Sequence, residues 1–429
     1  MLTVYLLCAL YASPVWSKVY LDIDSPTWQK YKIAVPDFSN SNGKKGTAEN
    51  PGAQLAEHLS GLFRITAFLN VIDKKAYLEP QQPDAGNVAF ADWLAIGAEY
   101  LVQGRFQQQG SEFILDCRLY DVVKGEAIIA KKYRGKAVEA KAMLRRFAGE
   151  VLVALTGEGD IFNTRLAFVM KKGKAVDILS INYDGTDFFR EKEGKNILMS
   201  PRWSPDGRYL SFTSFEQGNP DVYIKDMLSN TFSKISSFPG INLAGGWSPD
   251  GKTVLLTLSK DGNEEIYKLD YTSRSLQQLT TTYSIDVSPT WSPDGNKIAF
   301  VSNRAGNPQI YIMDADGNNV RRLTWEGNYN TSPVWSPKGD RIAYESRVNG
   351  GFQICTIGTD GDGLKQLTTD GSENKNPTWS PDGRYLAFSK SSEGRKKIYI
   401  MTATGGNVRL LYEGSGDCVS PAWSPRFKP

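Results

Sequence analysis

The sequence predicts an α/β N-terminal domain followed by an all-β six-bladed propeller, closed by a first strand supplied from the C-terminus. Three observations carry this. The tripeptide Trp-Ser-Pro recurs at Trp203, Trp247, Trp291, Trp335, Trp379 and Trp423, each 44 residues after the last. Two further series keep the same step: Phe168, Phe212, Leu256, Phe300, Tyr344 and Phe388, and Leu179, Tyr223, Tyr267, Tyr311, Cys355 and Tyr399. The segment from Lys18 to Gly159 shows none of this lattice. A fixed period of this length, filled with short apolar runs and turn residues, describes one four-stranded blade per copy.

Residues 288–324 show the pattern of one copy. Ser288 to Trp291 reads as a short first strand, and Ser292-Pro293-Asp294-Gly295 as a tight turn. Lys297 to Ser302 is the second strand, Gln309 to Asp314 the third and Val320 to Thr324 the fourth. The phase of the repeat then implies closure. Arg165 to Lys172 reads like a second strand, whereas Pro421 to Pro425 reads like a first. Pairing the two joins the ends of the array and leaves no long free sheet edge, and no atypical capping repeat of an open solenoid appears.

The N-terminal part reads differently. Val19 to Asp22 and Lys32 to Val35 are expected strands. Asn50 is placed to cap a helix with Pro51 in its first turn, burying Leu55, Leu59, Leu62 and Phe63 on one face. Tyr100 to Gln107, Phe113 to Val122 and Ala127 to Tyr133 are strands, the last two joined through Lys124-Gly125. Val138 to Leu155 is a helix with Leu144, Phe147, Val151 and Leu155 inward. The expected division is therefore a signal peptide over 1–17, an α/β domain over 18–159 and the propeller over 160–429.

The signal peptide rests on Leu2 to Trp16, which carries no charge and is too short to span a bilayer comfortably. No Lys or Arg precedes it; Val15 and Ser17 would flank a cut before Lys18. An exported, periplasmic protein that does not span the membrane is expected. Fifty basic against 47 acidic residues, a net charge of +3, provide no field for nucleic acid. Cys117, Cys355 and Cys418 would remain after cleavage, and buried unpaired thiols are expected.

Catalytic constellations are scarce. His58 is the one histidine, so a Ser-His-Asp triad or a zinc site would depend on it alone. No phosphate-cradling glycine loop is present. The recurring Asp-Gly pairs Asp206-Gly207, Asp250-Gly251, Asp294-Gly295 and Asp382-Gly383 invite a calcium reading, but a repeated reverse turn accounts for them, and Lys338 and Arg426 break the series. No enzyme activity, cofactor or metal is expected. What remains is the variable loop set at the channel mouth, where partners usually bind a rigid frame. It offers Ile197, Ile241, Asn242, Ile285, Asp286, Tyr329, Asn330, Glu373 and Asp417, a mixture suited to a protein surface. Ile241, Asn242, Asp286, Tyr329 and Asn330 rank highest.

The blade SPTWSPDGNKIAFVSNRAGNPQIYIMDADGNNVRRLT resembles those of the TolB family of the Tol–Pal system. The stretch VYLDIDSPTWQKYKIAVPDF resembles the start of that family's N-terminal domain, and ALTGEGDIFNTRLAFV its junction with the propeller. The resemblance spans nearly the whole chain. It implies a non-enzymatic periplasmic scaffold, monomeric on its own, that supports outer-membrane integrity and constriction at division. A Pal-like lipoprotein would bind the channel mouth, and a TolA-like inner-membrane protein the segment Lys18, Val19, Tyr20, Leu21 and Asp22. Ile241 stands where some relatives carry histidine, so individual contacts do not carry over. A propeller hydrolase or lyase, or a glycan-binding module of the envelope, is the alternative.

Overall fold

The computed structural model describes residues 30–41, 50–78, 88–157, 159 and 161–427. The expected signal peptide and the segment Lys18 to Asp22 lie outside them. The N-terminal sheet contains β1 (Tyr31–Ala34), β2 (Ser39–Asn40), β3 (Leu69–Val71), β4 (Tyr100–Gln109), β5 (Glu112–Asp121) and β6 (Glu126–Gly135), in the order β3-β1-β4-β5-β6 with β2 beside β4. β1 runs parallel to β3 and β4, while β4, β5 and β6 form an antiparallel meander. Helix α1 (Pro51–Arg64) starts as expected: Ala53 N–H donates to the Asn50 Oδ1 cap at 3.2 Å. A short helix α2 (Phe90–Ala95) precedes β4, and α3 (Ala140–Thr156) packs against α1, β5 and β6. Leu59, Leu62, Phe63, Leu144, Phe147 and Val151 are buried between these helices and the sheet.

Six four-stranded antiparallel sheets follow. Blade 1 takes Arg165–Lys172, Ala175–Asn182 and Phe188–Gly194 from the start of the array and Asp417–Trp423 from the far end. Those ends pair antiparallel, Trp423 with Leu166 and Asp417 with Lys171. The innermost strands of blades 2 to 6 are Leu198–Trp203, Asn242–Trp247, Asp286–Trp291, Asn330–Trp335 and Asn374–Trp379. Each innermost strand touches the innermost strands of both neighbours, and the cycle closes through Asp417–Trp423. The ring therefore surrounds an axial channel.

The repeated tryptophans are spacers between blades. Trp203 Nε1 donates to Ala422 O at 3.2 Å, and Trp379 Nε1 to Val334 O at 3.2 Å. The Asp-Gly turns are structural too: Asp250 Oδ1 accepts from Ser248 Oγ at 2.6 Å and from Lys252 N at 3.0 Å. These bonds to the charged form, Ser248 first, hold the Asp250 carboxyl below its usual range. Cys117, Cys355 and Cys418 are free and buried.

Two details differ from the sequence reading. The fourth strand of blade 4 shrinks to the ladder Arg321–Arg322. The innermost strands begin two residues earlier than the alternation suggests. A bulge interrupts each of them, and in every blade but blade 3 it is accompanied by a residue at positive φ between +54° and +55°, namely Ser200, Ser288, Ser332, Asn376 and Ser420. The break hides the residues ahead of it, so Asn242, Asp286 and Asn330 read as loop when they start strands.

Candidate partner-binding face of the propeller

The two faces of the ring are unlike. One is built from the turns that link strands one to two and three to four, and there the N-terminal domain docks. Tyr385 Oη accepts from Ala67 N at 2.9 Å, Tyr183 Oη donates to Ile65 O at 3.1 Å, and Arg384 lies over the Phe68 ring. Arg145 of α3 reaches Asp187 at 2.7 Å, Asp184 at 3.5 Å and Thr186 Oγ1 at 2.7 Å. The Tyr183, Tyr385 and Trp423 side chains share one core with Phe63, Phe68 and Phe147, so the docking is apolar at its centre.

The opposite face is built from the loops that enter each innermost strand and those that link strands two to three. Six of the nine residues expected to contact a partner offer side-chain surface here. Ile197, Ile285 and Tyr329 are exposed, at 53%, 45% and 39%, and Tyr329 stands edge-on to Phe352. Ile241, Glu373 and Asp417 are half-buried. Glu373 pairs with Lys375 at 3.1 Å, and Asp417 Oδ1 accepts from Lys396 N at 2.9 Å.

Asn242, Asp286 and Asn330 do not reach the surface; each is 0% exposed, which corrects their place in the site. They lock the loops from below. Asn242 Oδ1 accepts from Ser236 Oγ (2.6 Å) and Phe238 N (2.9 Å), and its Nδ2 donates to Phe238 O (2.7 Å). Asn330 Nδ2 donates to Gln309 Oε1 and Glu326 O, both at 2.8 Å. Asn374 repeats the pattern with Gln353 Oε1 at 3.1 Å. In the loop between blades 3 and 4 the pair becomes Glu265 and Asp286. Asp286 Oδ2 accepts from Arg304 at 2.8 Å, and Glu265 Oε1 from Thr282 N at 2.7 Å. Glu265 Oε2 and Asp286 Oδ1 are left buried without a hydrogen-bond partner. Burial, and then the Asp286 charge, push the Glu265 carboxyl up.

The loops also present three large side chains absent from the sequence-based set. Trp325 is 73% exposed, Tyr283 is fully exposed and Phe238 is exposed at the rim. All three precede the loop stretch read as variable, nearer the end of strand four. Their signal was an aromatic residue following the fourth strand in consecutive repeats. With Ile285 and Tyr329 they make a broken apolar crest over blades 3 to 5.

Residues 153–427 match the family model described as "TolB beta propeller domain", and residues 19–128 the "TolB amino-terminal domain". The chain belongs to the TolB family. The Tol-Pal system protein TolB of Syntrophus aciditrophicus (strain SB) is 45% identical over 245 residues, 54% of this chain and 53% of that protein. That of Desulfosudis oleivorans (strain DSM 6200 / JCM 39069 / Hxd3) is 40% identical over 232 residues, 52% of each chain. The chain thus spans about half the length of these curated relatives in the matches. The crystal structure of TolB from Acinetobacter baumannii superposes with a TM-score of 0.82 at 28% identity, over 92% of this chain and 97% of that one. The order of the TolB domains, α/β and then propeller, is therefore that of this chain. Among the described residues no group of three or more His, Cys, Asp or Glu is placed to hold a metal, and no helix is long and apolar enough to cross a membrane.

Proposed function

We propose that this TolB-family chain is a non-enzymatic periplasmic scaffold of the Tol–Pal system, whose propeller mouth holds a Pal-like lipoprotein. The observation that carries the reading is the apolar crest of Phe238, Tyr283, Ile285, Trp325 and Tyr329. It stands on the face that domain docking leaves free. Clustered exposed aromatic and aliphatic groups on a rigid frame mark a protein interface. The relatives' naming as Tol-Pal system proteins supports a partner from that system. Lys18, Val19, Tyr20, Leu21 and Asp22 are proposed to engage a TolA-like inner-membrane protein as an added strand, a mode open to an extended segment with alternating apolar side chains. The scaffold would thereby couple the two membranes, supporting outer-membrane integrity and constriction at division.

Capture of the Pal-like lipoprotein by the purified chain tests the face. Tyr329→Ala is expected to weaken capture about thirtyfold, the scale of losing one anchor worth about 2 kcal/mol. Combined with Ile285→Asp it should abolish capture while melting stays within a degree or two of the parent. Unchanged affinity in the double variant would place the partner elsewhere. Deleting Lys18 to Asp24 should spare this capture and weaken that of the TolA-like protein.

A further inference from the structure

The six innermost strands carry four charged residues, Arg202, Asp286, Lys375 and Asp417. Three have partners outside their own strand. Asp286 meets Arg304, Lys375 lies 4.3 Å over the Phe352 ring and pairs with Glu373, and Asp417 accepts from the Lys396 amide. Arg202 has none. Its one hydrogen bond runs from Nη1 to the carbonyl of the adjacent Pro201, at 3.1 Å, and among the described residues no carboxylate pairs with it.

The repeat indicates where its side chain goes, because positions 44 residues apart are equivalent. Thr378 Oγ1 accepts from Trp423 N–H on the next inner strand at 3.2 Å. A Cβ added to Gly246 would lie 3.5 Å from Thr290 Cα, again on the next inner strand. The same direction aims Arg202 along Asn242–Trp247, where Gly245 and Gly246 offer no side chain. Blades 4, 5, 6 and 1 place Thr290, Val334, Thr378 and Ala422 at this position, so the cation is unique to blade 2. Solvent still reaches part of Arg202. Burial nevertheless holds its pKa below the usual guanidinium value, and no counter-charge offsets the effect. A guanidinium stays protonated under such conditions and carries five donors in a fork suited to carboxylates. One donor is used here. A partly desolvated cation without a carboxylate partner is costly, so the position is best explained by a ligand that completes it.

We infer that Arg202 is an anion-binding position in the wall of the propeller channel, and that its ligand is a carboxylate held by the free N–H groups of the guanidinium. Arg202 lies four residues along its strand from Leu198 at the mouth, about 13 Å at roughly 3.3 Å per residue. That is deeper than one side chain reaches from a partner resting on the rim, and it lies one residue from the end of the strand nearest the docked face. The carboxylate therefore belongs either to a small free acid or to a segment inserted into the channel. The inference stands independently of which protein occupies the mouth.

The test uses the full chain and Arg202→Thr, which copies the residue of blades 4 and 6. Melting and calorimetric titration are run with malonate, with a tetraglutamate peptide and with chloride at matched ionic strength. Malonate is expected to bind saturably to the parent chain, raising the folded-to-unfolded ratio about a hundredfold at a hundred times its Kd. Arg202→Thr should melt no lower than the parent in anion-poor buffer and show no response to carboxylate. Arg202→Lys, which keeps the charge and loses the fork, should respond more weakly. A response to the peptide alone assigns the carboxylate to an inserted segment, and a response to malonate alone to a free acid; either supports the inference. It is overturned if carboxylates act no differently from chloride on the parent chain, or if Arg202→Thr responds as the parent does.

Discussion

The Glu265–Asp286 pair gives a prediction whose size depends on pH. In the equivalent pair one blade on, Gln309 Oε1 accepts from Asn330 Nδ2 at 2.8 Å. Replacing both amides by carboxyls removes the donor, and Glu265 Oε2 and Asp286 Oδ1 are consequently orphaned. Glu265→Gln restores a donor at the slot while keeping the acceptor used by Thr282 N and Asn263 Nδ2. A hydrogen bond to a charged acceptor contributes about 1.5–3 kcal/mol. The pKa of Glu265 is raised on folding, mainly by burial. Its contribution is therefore fully present below the unfolded pKa and is lost as pH rises through the folded pKa. Below that point the protonated Glu265 is itself a donor, and the glutamine gains nothing. Above it, the variant should be more stable by the full hydrogen bond. At about 2–4 °C per kcal/mol for a domain of this size, the propeller transition should rise several degrees at pH 8 and little at about pH 4, below the ordinary glutamate value. Calorimetric scans at both values check it. An equal gain at the two pH values, or a loss at pH 8, would refute the assignment of protonated Glu265 as the missing donor.

Two further perturbations probe the frame around the face. Asn330→Ala removes two 2.8 Å bonds to Gln309 and Glu326; about 1–3 kcal/mol of stability should be lost, with faster amide exchange confined to residues 324–330. Arg145→Ala deletes the contacts with Asp184, Thr186 and Asp187 across the domain boundary. It should lower the transition of the N-terminal domain in calorimetry and leave Pal-like capture unchanged, because the mouth lies on the other face.

The ring was legible because its determinants are local and repeated. A tryptophan every 44 residues reports an inter-blade spacer, and the phase at Arg165 and Trp423 reports which strands must meet. The α1 cap and the inward stripe of α3 were legible for the same reason. Strand β3 and helix α2 were not, since three and six residues carry too little period to register. The loops that enter the innermost strands were legible, and three of their residues were misread as exposed. Ile197, Ile285 and Tyr329 point out, whereas the polar residues beside them turn inward to bind loop carbonyls and amides. A polar residue next to a loop reads as a contact, but an asparagine able to satisfy several buried backbone groups is worth more under the loop than on it. The bulges concealed this, because they shortened the apparent strand.

The division of the ring into two faces has a consequence for how the chain could pass a signal. The turns joining strands one to two are nearly uniform, held by the Ser-Asp pattern seen at Ser248–Asp250 and Ser292–Asp294. A uniform face suits domain docking, and the shared core of Tyr183, Tyr385, Trp423 and Phe63 anchors the N-terminal domain there. The entering loops vary blade by blade, and those of blades 3 to 6 each hang from one buried residue at the start of an innermost strand, Asn242, Asp286, Asn330 or Asn374. Those strands touch one another around the whole ring and run from the variable face to the docked one. A partner that shifts one lock residue therefore loads a strand whose far end lies beside the N-terminal domain. At blade 6 that strand runs from Asn374 to Trp379, and its turn leads into Arg384 and Tyr385, which hold Phe68 and Ala67. If this path couples the faces, Asn374→Ala should lower the transition of the N-terminal domain as well as the propeller's. Ile197→Ala, which changes the rim without touching a lock, should move neither.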